Sequence, residues 1–171
     1  MSRGGYPTFR RADPPYYDKG QVCVRGHLIN ADVERYPERN KKFCPECGGE
    51  VIDRCPDCKT QIQGQYHSST AAFQRLLRPT AFCHDCGKPY PWQQEAIDAA
   101  KALAAELELD EAEQVDLKAV IDGLTVESSM TSVAAVRFKK LLLKANGPAI
   151  QLFKDSVSKI AAESAKKWLG L

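Results

Sequence analysis

The seven cysteines of this 171-residue chain constrain its fold more than any other feature. All of them lie between residues 23 and 86, in one Cys-x-x-x-His group followed by three Cys-x-x-Cys groups. The groups begin at Cys23, Cys44, Cys55 and Cys83. A Cys-x-x-Cys turn points two sulfurs the same way, and a zinc ion bridges them at Zn–S distances of about 2.3 Å. Each group therefore supplies half of a tetrahedral metal site.

Seven thiols and one imidazole make eight ligands, which fill two tetrahedral zinc sites with nothing left over. The sequence thus predicts two structural Zn²⁺ ions held by Cys23, His27, Cys44, Cys47, Cys55, Cys58, Cys83 and Cys86. A disulfide framework fits poorly, because the cysteine count is odd and no secretory signal precedes it. No apolar run is long enough to span a bilayer. The expected compartment is the cytoplasm, which keeps thiols reduced.

The spacing leaves two ways of pairing the four groups. Sequential pairing joins the first group to the second and the third to the fourth, which gives a tandem zinc ribbon. Crossed pairing joins the first to the third and the second to the fourth, as in a RING-like brace. Sequential pairing is favoured, because only seven residues separate Cys47 from Cys55. His67 and His84 are competing ligands, but both are expected to be surface groups or to lie behind the ligands.

These residues resemble a widespread bacterial family that is catalogued only as a domain of unknown function. The likeness is carried by Gln21-Val-Cys-Val-Arg-Gly-His-Leu-Ile-Asn30, Lys42-Phe-Cys-Pro-Glu-Cys-Gly48, Cys55-Pro-Asp-Cys58 and Phe82-Cys-His-Asp-Cys-Gly-Lys-Pro-Tyr-Pro-Trp92. It spans about residues 16–145. Gln93 stands where the family is expected to have a threonine helix cap. The resemblance implies the ribbon fold and the metal-binding groups, and it brings no activity.

The composition changes after Trp92 to a cysteine-free stretch rich in Ala, Leu, Glu and Lys. Apolar residues at helical spacing predict four helices, at about 94–107, 110–122, 129 or 131–143, and 148–168. Asp110 and Glu113 have the spacing of a capping box, and Gly123 is expected to stop the second helix. The last helix is predicted to bury one apolar stripe, formed by Ile150, Phe153, Val157, Ile160, Ala161 and Trp168.

The sequence therefore predicts an α+β protein, with a small zinc-stabilised β region of tandem ribbons followed by a C-terminal α-helical bundle. The predicted divisions are a flexible N-terminal arm at 1–15, a ribbon domain at 16–91, and a helical domain of about four helices at 92–171. Strands are expected within 21–30 and 61–66, and one or two helical turns within 71–77. The ribbon region has too few apolar residues for a large core, so metal must supply its folding energy.

Charge is segregated in the helical half. Residues 92–127 hold ten acidic and two basic side chains, a net −8, whereas residues 128–171 hold eight basic and two acidic ones, a net +6. This asymmetry predicts that the acidic helix pair packs against the basic pair. An alternative is that Arg137, Lys139, Lys140 and Lys144 bind phosphate groups.

Closed zinc sites argue against catalysis, as do the shortage of histidines and the lack of a phosphate-binding loop or nucleophile elbow. A non-catalytic adaptor with a protein partner is the favoured function. For a protein partner, the argument is the helical bundle with its apolar, basic last helix. The alternative is nucleic-acid binding through the N-terminal arm and the basic loop 35–42. For either partner, the candidate contact residues on the ribbons are Arg25, Arg35, Arg39, Lys41, Lys42, Arg54 and Lys59. The formal net charge is +2, and seven thiolates with two Zn²⁺ lower it to about −1, which favours protein. Membrane-surface association through the last helix and a zinc enzyme are less favoured, and the oligomeric state stays open.

Overall fold

A computed structural model of the protein describes residues 14–67 and 78–170. The chain divides into two compact units, Met1–Lys88 and Pro89–Leu171. The division falls a few residues before the predicted boundary at 91/92. The first unit contains short strands and the second contains helices, so the protein is α+β, as predicted. The helical turns predicted within 71–77 and most of the predicted arm lie outside the described residues.

In its described part, the first unit has two small antiparallel sheets. The strands are β1 (Tyr16–Lys19), β2 (Gln21–Cys23), β3 (Leu28–Asn30), β4 (Val51–Ile52) and β5 (Gln63–His67). One sheet pairs β1 with β5, and the other has the order β3-β2-β4. A short 3₁₀ turn at Pro37–Arg39 follows β3.

Strand β1 was not predicted, because its four residues carry no alternation that marks a strand. It forms through a distant partner: Tyr16 pairs with His67, and Tyr17 pairs with Tyr66. The rings of Tyr16 and His67 stack at 4.8 Å between centroids. The sheet therefore joins Tyr16–Lys19 to the chain between the last two Cys-x-x-Cys groups.

Gly64 holds β5 close to the chain that follows β3. A Cβ atom at this position would overlap the carbonyl oxygen of Ala31. The backbone N–H of Gln65 donates a hydrogen bond to that same oxygen at 2.8 Å. Only a residue without a side chain allows this approach.

The second unit has five α-helices within residues 89–170 rather than about four. They are α1 (Pro91–Ala105), α2 (Glu111–Leu124), α3 (Thr131–Lys144), α4 (Ile150–Ile160) and α5 (Glu163–Leu169). Helix α1 starts earlier than predicted because Pro91 occupies its first turn, where a missing N–H costs nothing. The capping box predicted at Asp110 and Glu113 is present at the start of α2.

The prediction that Gly123 stops α2 is wrong. The helix continues to Leu124, and Thr125 caps its end. A Cβ atom on Gly123 would lie 3.1 Å from the Cβ of Ala134 in α3. The glycine therefore allows α2 and α3 to approach closely, which is a packing role and not a capping role.

The prediction of one helix over 148–168 is also wrong, since the chain breaks between α4 and α5. Ala161 and Ala162 adopt extended backbone angles. The N–H of Ala162 donates to the carbonyl oxygen of Leu124 at 2.8 Å, instead of continuing the helix. Phe153, Val157 and Ile160 are buried as predicted, whereas Trp168 beyond the break is 56% exposed.

The five helices share one apolar core, which includes Leu117, Ile121, Phe138, Phe153 and Val157. Helix α2 packs on α3, α1 packs on α4, and α5 packs on α3. The acidic helices α1 and α2 thus lie against the basic helices α4 and α3, as the charge segregation predicts. One ion pair across this division joins Lys144 to Glu113 at 2.6 Å. Among the described residues, no helix is long and apolar enough to cross a membrane.

Candidate metal centres

The first cluster brings together the side chains of Cys23, His27, Cys44 and Cys47, whose ligand atoms all lie within 4.8 Å of one another. Cys23 ends β2 and His27 immediately precedes β3, so the turn between these strands supplies one half of the cluster. The Sγ atoms of Cys23 and Cys47 are 3.8 Å apart. Nδ1 of His27 lies 3.5 Å from the sulfurs of both Cys23 and Cys44. The imidazole therefore offers Nδ1, and its Nε2 faces away from the sulfurs.

The second cluster consists of Cys55, Cys58, Cys83 and Cys86, whose sulfurs are also within 4.8 Å of one another. The Sγ distances are 3.8 Å for Cys55–Cys86 and 3.6 Å for Cys58–Cys83. Both contacts join a sulfur of the third group to a sulfur of the fourth group, so neither group forms a site on its own. Together the two clusters contain all eight predicted ligands in sequential pairing. The crossed arrangement does not occur.

Each Cys-x-x-Cys turn has the same backbone frame. The first cysteine accepts a hydrogen bond at its carbonyl oxygen from the N–H of the residue after the second cysteine: Gly48, Lys59 or Gly87, at 2.9–3.0 Å. That residue has a positive φ in all three turns: 67° at Gly48, 66° at Lys59 and 71° at Gly87. Lys59 is thus a lysine in a position that favours glycine, a feature that sequence analysis missed.

Backbone amides tune the thiols of the first cluster. A hydrogen bond from the backbone of Gly49, helped by His27, lowers the pKa of the Cys47 thiol to about 6. Burial raises the pKa of Cys23, which is fully buried at the end of β2. The turn that contains Cys47 thus favours a thiolate, whereas burial of Cys23 disfavours a second negative charge in the same cluster. A bound cation removes this conflict, because it stabilises every thiolate at once.

The second cluster shows the same conflict more strongly. At Cys83, burial raises the pKa, but hydrogen bonds from the backbone of Cys86 and Asp85 outweigh it and lower the pKa to about 6. At Cys86, the backbone N–H of Lys88 lowers the pKa, but desolvation and the neighbouring sulfurs outweigh it and raise the pKa to about 12. Four sulfurs this close cannot all be ionised without a cation between them.

The donor sets fit zinc. Four sulfurs at about 2.3 Å from a tetrahedral Zn²⁺ are about 3.8 Å from one another, and the Sγ distances given above are 3.6–3.8 Å. Three thiols with one imidazole, and four thiols, are both sets that bind zinc without an open coordination position. The residues present therefore suit a metal, and the chemistry that such an ion supplies here is cross-linking of the chain.

The remaining histidines lie outside both clusters. His67 pairs with Asp18 across the β1–β5 sheet, and His84 is exposed at the tip of its turn. Nε2 of His27 faces Oε2 of Glu46 at 3.7 Å. This distance is too long for a hydrogen bond, so the carboxylate is a neighbour of the imidazole and does not fix its tautomer. Sequence analysis missed this neighbour of His27, although the position of Glu46 inside the second group, next to Cys47, places it beside the cluster.

The comparisons with known proteins give a family and no activity. The family described as "Uncharacterized protein conserved in bacteria (DUF2321)" matches residues 16–169. The chain belongs to this family. The resemblance predicted from the cysteine groups is therefore confirmed, and the match extends beyond residue 145 to include α4 and α5. No curated protein and no solved structure matches the chain.

Proposed function

We propose that both clusters bind structural Zn²⁺ and that this member of the DUF2321 family is a non-catalytic adaptor for a protein partner. The observation that carries the proposal is the closed donor set of each cluster. Eight ligands fill two tetrahedra, so a substrate has no coordination position to occupy. Zinc then acts as a cross-link in a unit whose small apolar core does not suffice for folding.

The histidines of the described residues support a non-catalytic role. His27 belongs to the first cluster, His67 is engaged by Asp18, and His84 is exposed outside both clusters. Acid–base chemistry at neutral pH depends on groups such as histidine that are free to exchange a proton with a substrate. This arrangement suits a binding surface better than an active site.

The loop before Cys44 is the surface that we assign to binding. The guanidinium of Arg39 lies over the ring of Tyr36 at 4.3 Å, and that of Arg35 lies at 5.4 Å from the same ring centroid. Asn30 donates to the Tyr36 carbonyl at 2.8 Å and so ties the loop to β3. Phe43, next to the ligand Cys44, is 65% exposed. Asn30 at one end of this loop and Cys44 at the other thus present an exposed aromatic ring and two arginines on one loop, a composition typical of protein interfaces.

Single-stranded nucleic acid is the second candidate, and the same loop supports it. Lys41 and Lys42 are exposed and immediately precede Phe43. Basic side chains beside an exposed aromatic ring can hold phosphates while a base stacks on the ring. The charge of the metal-bound chain, about −1, favours the protein partner.

A pull-down from the native host tests the two candidates against each other. Tagged, zinc-loaded full-length protein is incubated with lysate that has or has not been treated with nuclease. The matched bait is Phe43→Ala with Arg39→Ala, which leaves all eight ligands in place. We expect a stoichiometric protein that survives nuclease and is lost with the variant.

Two results would contradict the adaptor. Recovery of RNA or DNA, with proteins lost on nuclease treatment, would favour nucleic acid. Zinc measured by mass spectrometry tests the structural premise separately: Cys47→Ser and Cys58→Ser should each reduce the zinc content from two ions to one. Retention of both ions with the fold intact would show that the ligand assignment is wrong.

A further inference from the structure

Helix α3 exposes an apolar stripe on the side opposite its buried face. Val133, Val136 and Leu143 are 41%, 47% and 87% exposed. Together with Lys140 they follow the spacing 3-4-3, which places them in one row along the helix. The buried row of the same helix, with Ala134, Ala135, Phe138 and Leu141, belongs to the core. The exposed row is therefore a second packing surface and not a part of the core.

The flanks of this row are basic. Arg137 and Lys139 are exposed beside it, and α3 contains no acidic residue. Charges beside an apolar row select the partner helix, because like charges repel and opposite charges attract across the seam. Two copies of α3 would therefore repel each other, and an acidic helix would be attracted.

Helix α2 has the complementary surface. Ala112, Val115 and Ala119 form an exposed row with the spacing 3-4, and Val115 is 66% exposed. Glu111, Asp116 and Lys118 flank this row, so its flanks are net acidic. The sequence of the protein thus carries both halves of a matched pair, an acidic row on α2 and a basic row on α3.

The packing of α2 on α3 sets the relative height of the two rows. Glu113 pairs with Lys144 at 2.6 Å, and Gly123 contacts Ala134 at the opposite end. The helices are therefore antiparallel, with Val115 level with Leu143 and Asp116 level with Lys140. Val115 and Leu143 are also the two most exposed large apolar side chains among the described residues of the helical unit.

We propose that the occupant of these rows is a second copy of the protein. A two-fold axis parallel to α2 and α3 places α3 of each copy against α2 of the other copy. Rotation about this axis does not change positions along the helices, so residues that are level within one copy are also level between the two copies. Leu143 then contacts Val115 of the second copy, and Lys140 faces Asp116 of the second copy. The interface is isologous and closed, because both copies contribute the same surface to it. The four helices form an antiparallel bundle.

The size of the surface sets the expected affinity. Helices of 14 residues are about 21 Å long, so two of them side by side make a small interface below about 1,200 Å² in total. We expect a dissociation constant in the micromolar range. Sedimentation velocity of the zinc-loaded full chain from about 5 to 500 µM should show the mass rise from 19.0 kDa towards twice that value.

Leu143→Glu is the first variant. It should raise the dissociation constant about ten-fold or more, because it places an acid against the acidic row and removes the apolar contact. Leu143 is almost fully exposed, so the fold should not change. The matched control is Leu152→Glu on α4, which is 58% exposed and lies on neither row. The control should dimerise like the natural protein, and circular dichroism confirms that both variants are folded.

Charge-reversal variants distinguish an interaction between two copies from an interaction within one copy. Lys140→Glu alone and Asp116→Lys alone should each dimerise more weakly, because every pair across the interface becomes a repulsion. An equal mixture of the two single variants should recover the dimer, since both pairs between unlike copies are then opposite in charge. A protein that stays monomeric up to 500 µM overturns the proposal. So does a mixture that dimerises no better than its components, or a Leu143→Glu variant that dimerises as strongly as the Leu152→Glu control.

Discussion

Within residues 14–67 and 78–170, Lys59 is the non-glycine residue with a left-handed backbone conformation. It occupies, with φ 66°, the position that glycine occupies in the other two Cys-x-x-Cys turns. A side chain in this left-handed region costs roughly 1–2 kcal/mol. The exposed Lys59 side chain contacts the Pro56 carbonyl oxygen, which offsets part of this cost. The second cluster therefore contains a strained turn that the first cluster lacks.

Lys59→Gly should strengthen zinc binding at the second cluster. Glycine removes the backbone strain, and this effect is larger than the entropy that glycine adds to the unfolded chain. The free energy of zinc binding should therefore become more favourable by about 1 kcal/mol, which is about five-fold in affinity. Competition against a zinc chelator measures the effect, and only one of the two ions should be held more tightly. Lys59→Ala is the control, because it also loses the contact with Pro56 but keeps the strained backbone. Equal affinities for the two variants would contradict the strain argument.

Gly64→Ala should destabilise the first unit by an amount near the upper end of the roughly 1–3 kcal/mol that overpacking costs. The new methyl group would overlap the Ala31 carbonyl oxygen and displace the hydrogen bond from Gln65. Thermal unfolding followed by the fluorescence of the tyrosines near β1 and β5 reports the change. Gly48→Asn is the matched control, since that position has open space and asparagine tolerates a positive φ. A Gly64→Ala protein as stable as this control would show that the close approach is not rigid.

At the residue scale, the sequence predicts which eight side chains come together in two clusters, and it predicts their surroundings poorly. The grouping follows from the Cys-x-x-x-His and Cys-x-x-Cys spacings, because the distances within such a turn are local. The choice of Nδ1 on His27, the carboxylate of Glu46 behind it, and the left-handed Lys59 depend on how the turns are placed in space. No local pattern of side chains encodes those three features.

At the scale of secondary-structure elements, long-range hydrogen bonds decide where helices end. The apolar stripe of α4 and α5 predicts one helix, and the buried part of α4 agrees with it. The chain turns at Ala162 because its N–H bonds to Leu124, at the end of α2. The loop after α2 then supplies Glu127, whose carboxylate accepts hydrogen bonds from the Ser164 backbone N–H, at 2.9 Å, and from its hydroxyl. Periodicity does not record such contacts, which is why the break was not predicted.

Glu127 should make the stability of the helical unit depend on pH. The hydrogen bonds from Ser164 lower the pKa of this carboxyl below its ordinary value of 4.5. Because the folded pKa is lower than the unfolded one, the stabilisation is complete above about pH 4.5 and is lost as the pH falls through the folded pKa. Glu127→Gln should therefore unfold at a lower temperature than the natural protein at pH 7, and the difference should shrink in acid.

The helical signal at 222 nm follows this unfolding, since the first unit contributes little helix. The control is Glu163→Gln, which removes a nearby exposed carboxylate that pairs with Lys166 on the same helix. A difference between Glu127→Gln and the natural protein that stays constant from pH 7 to pH 3 would contradict the assigned role of Glu127.

At the scale of the whole molecule, the two units owe their stability to different forces. In the part of the first unit that the structure describes, the buried apolar residues are four cysteines with Val22 and Ile62. The second unit buries a shared core from all five helices. Composition predicts this division, because the cysteines stop at residue 86 and the helix-forming residues begin soon afterwards. It does not predict the pairing of β1 with β5, which joins residues about 50 positions apart.

Removal of metal should unfold one unit and leave the other folded. With a strong zinc chelator, amides of β2 to β5 should lose protection from hydrogen exchange, because the cross-links that hold the turns are gone. Amides of α1 to α4 should keep theirs, since their core contains no metal ligand. Hydrogen exchange detected by mass spectrometry measures both units in the same sample. Loss of protection in both units together would show that they fold as one.

The exposure of the sulfurs gives the two clusters different chemical lifetimes. The first cysteine of each Cys-x-x-Cys group is buried, whereas the second is more open, and Cys86 is exposed to solvent. With a metal bound, every cysteine of a cluster is a thiolate, so exposure decides which sulfur an alkylating or oxidising reagent reaches first, and Cys86 is the most open. Attack there would release one corner of the second cluster, whereas the most open cysteine of the first cluster, Cys47, is only partly exposed. If both clusters hold zinc, as proposed, chemical damage to the molecule should begin in the region closed by Cys83 and Cys86.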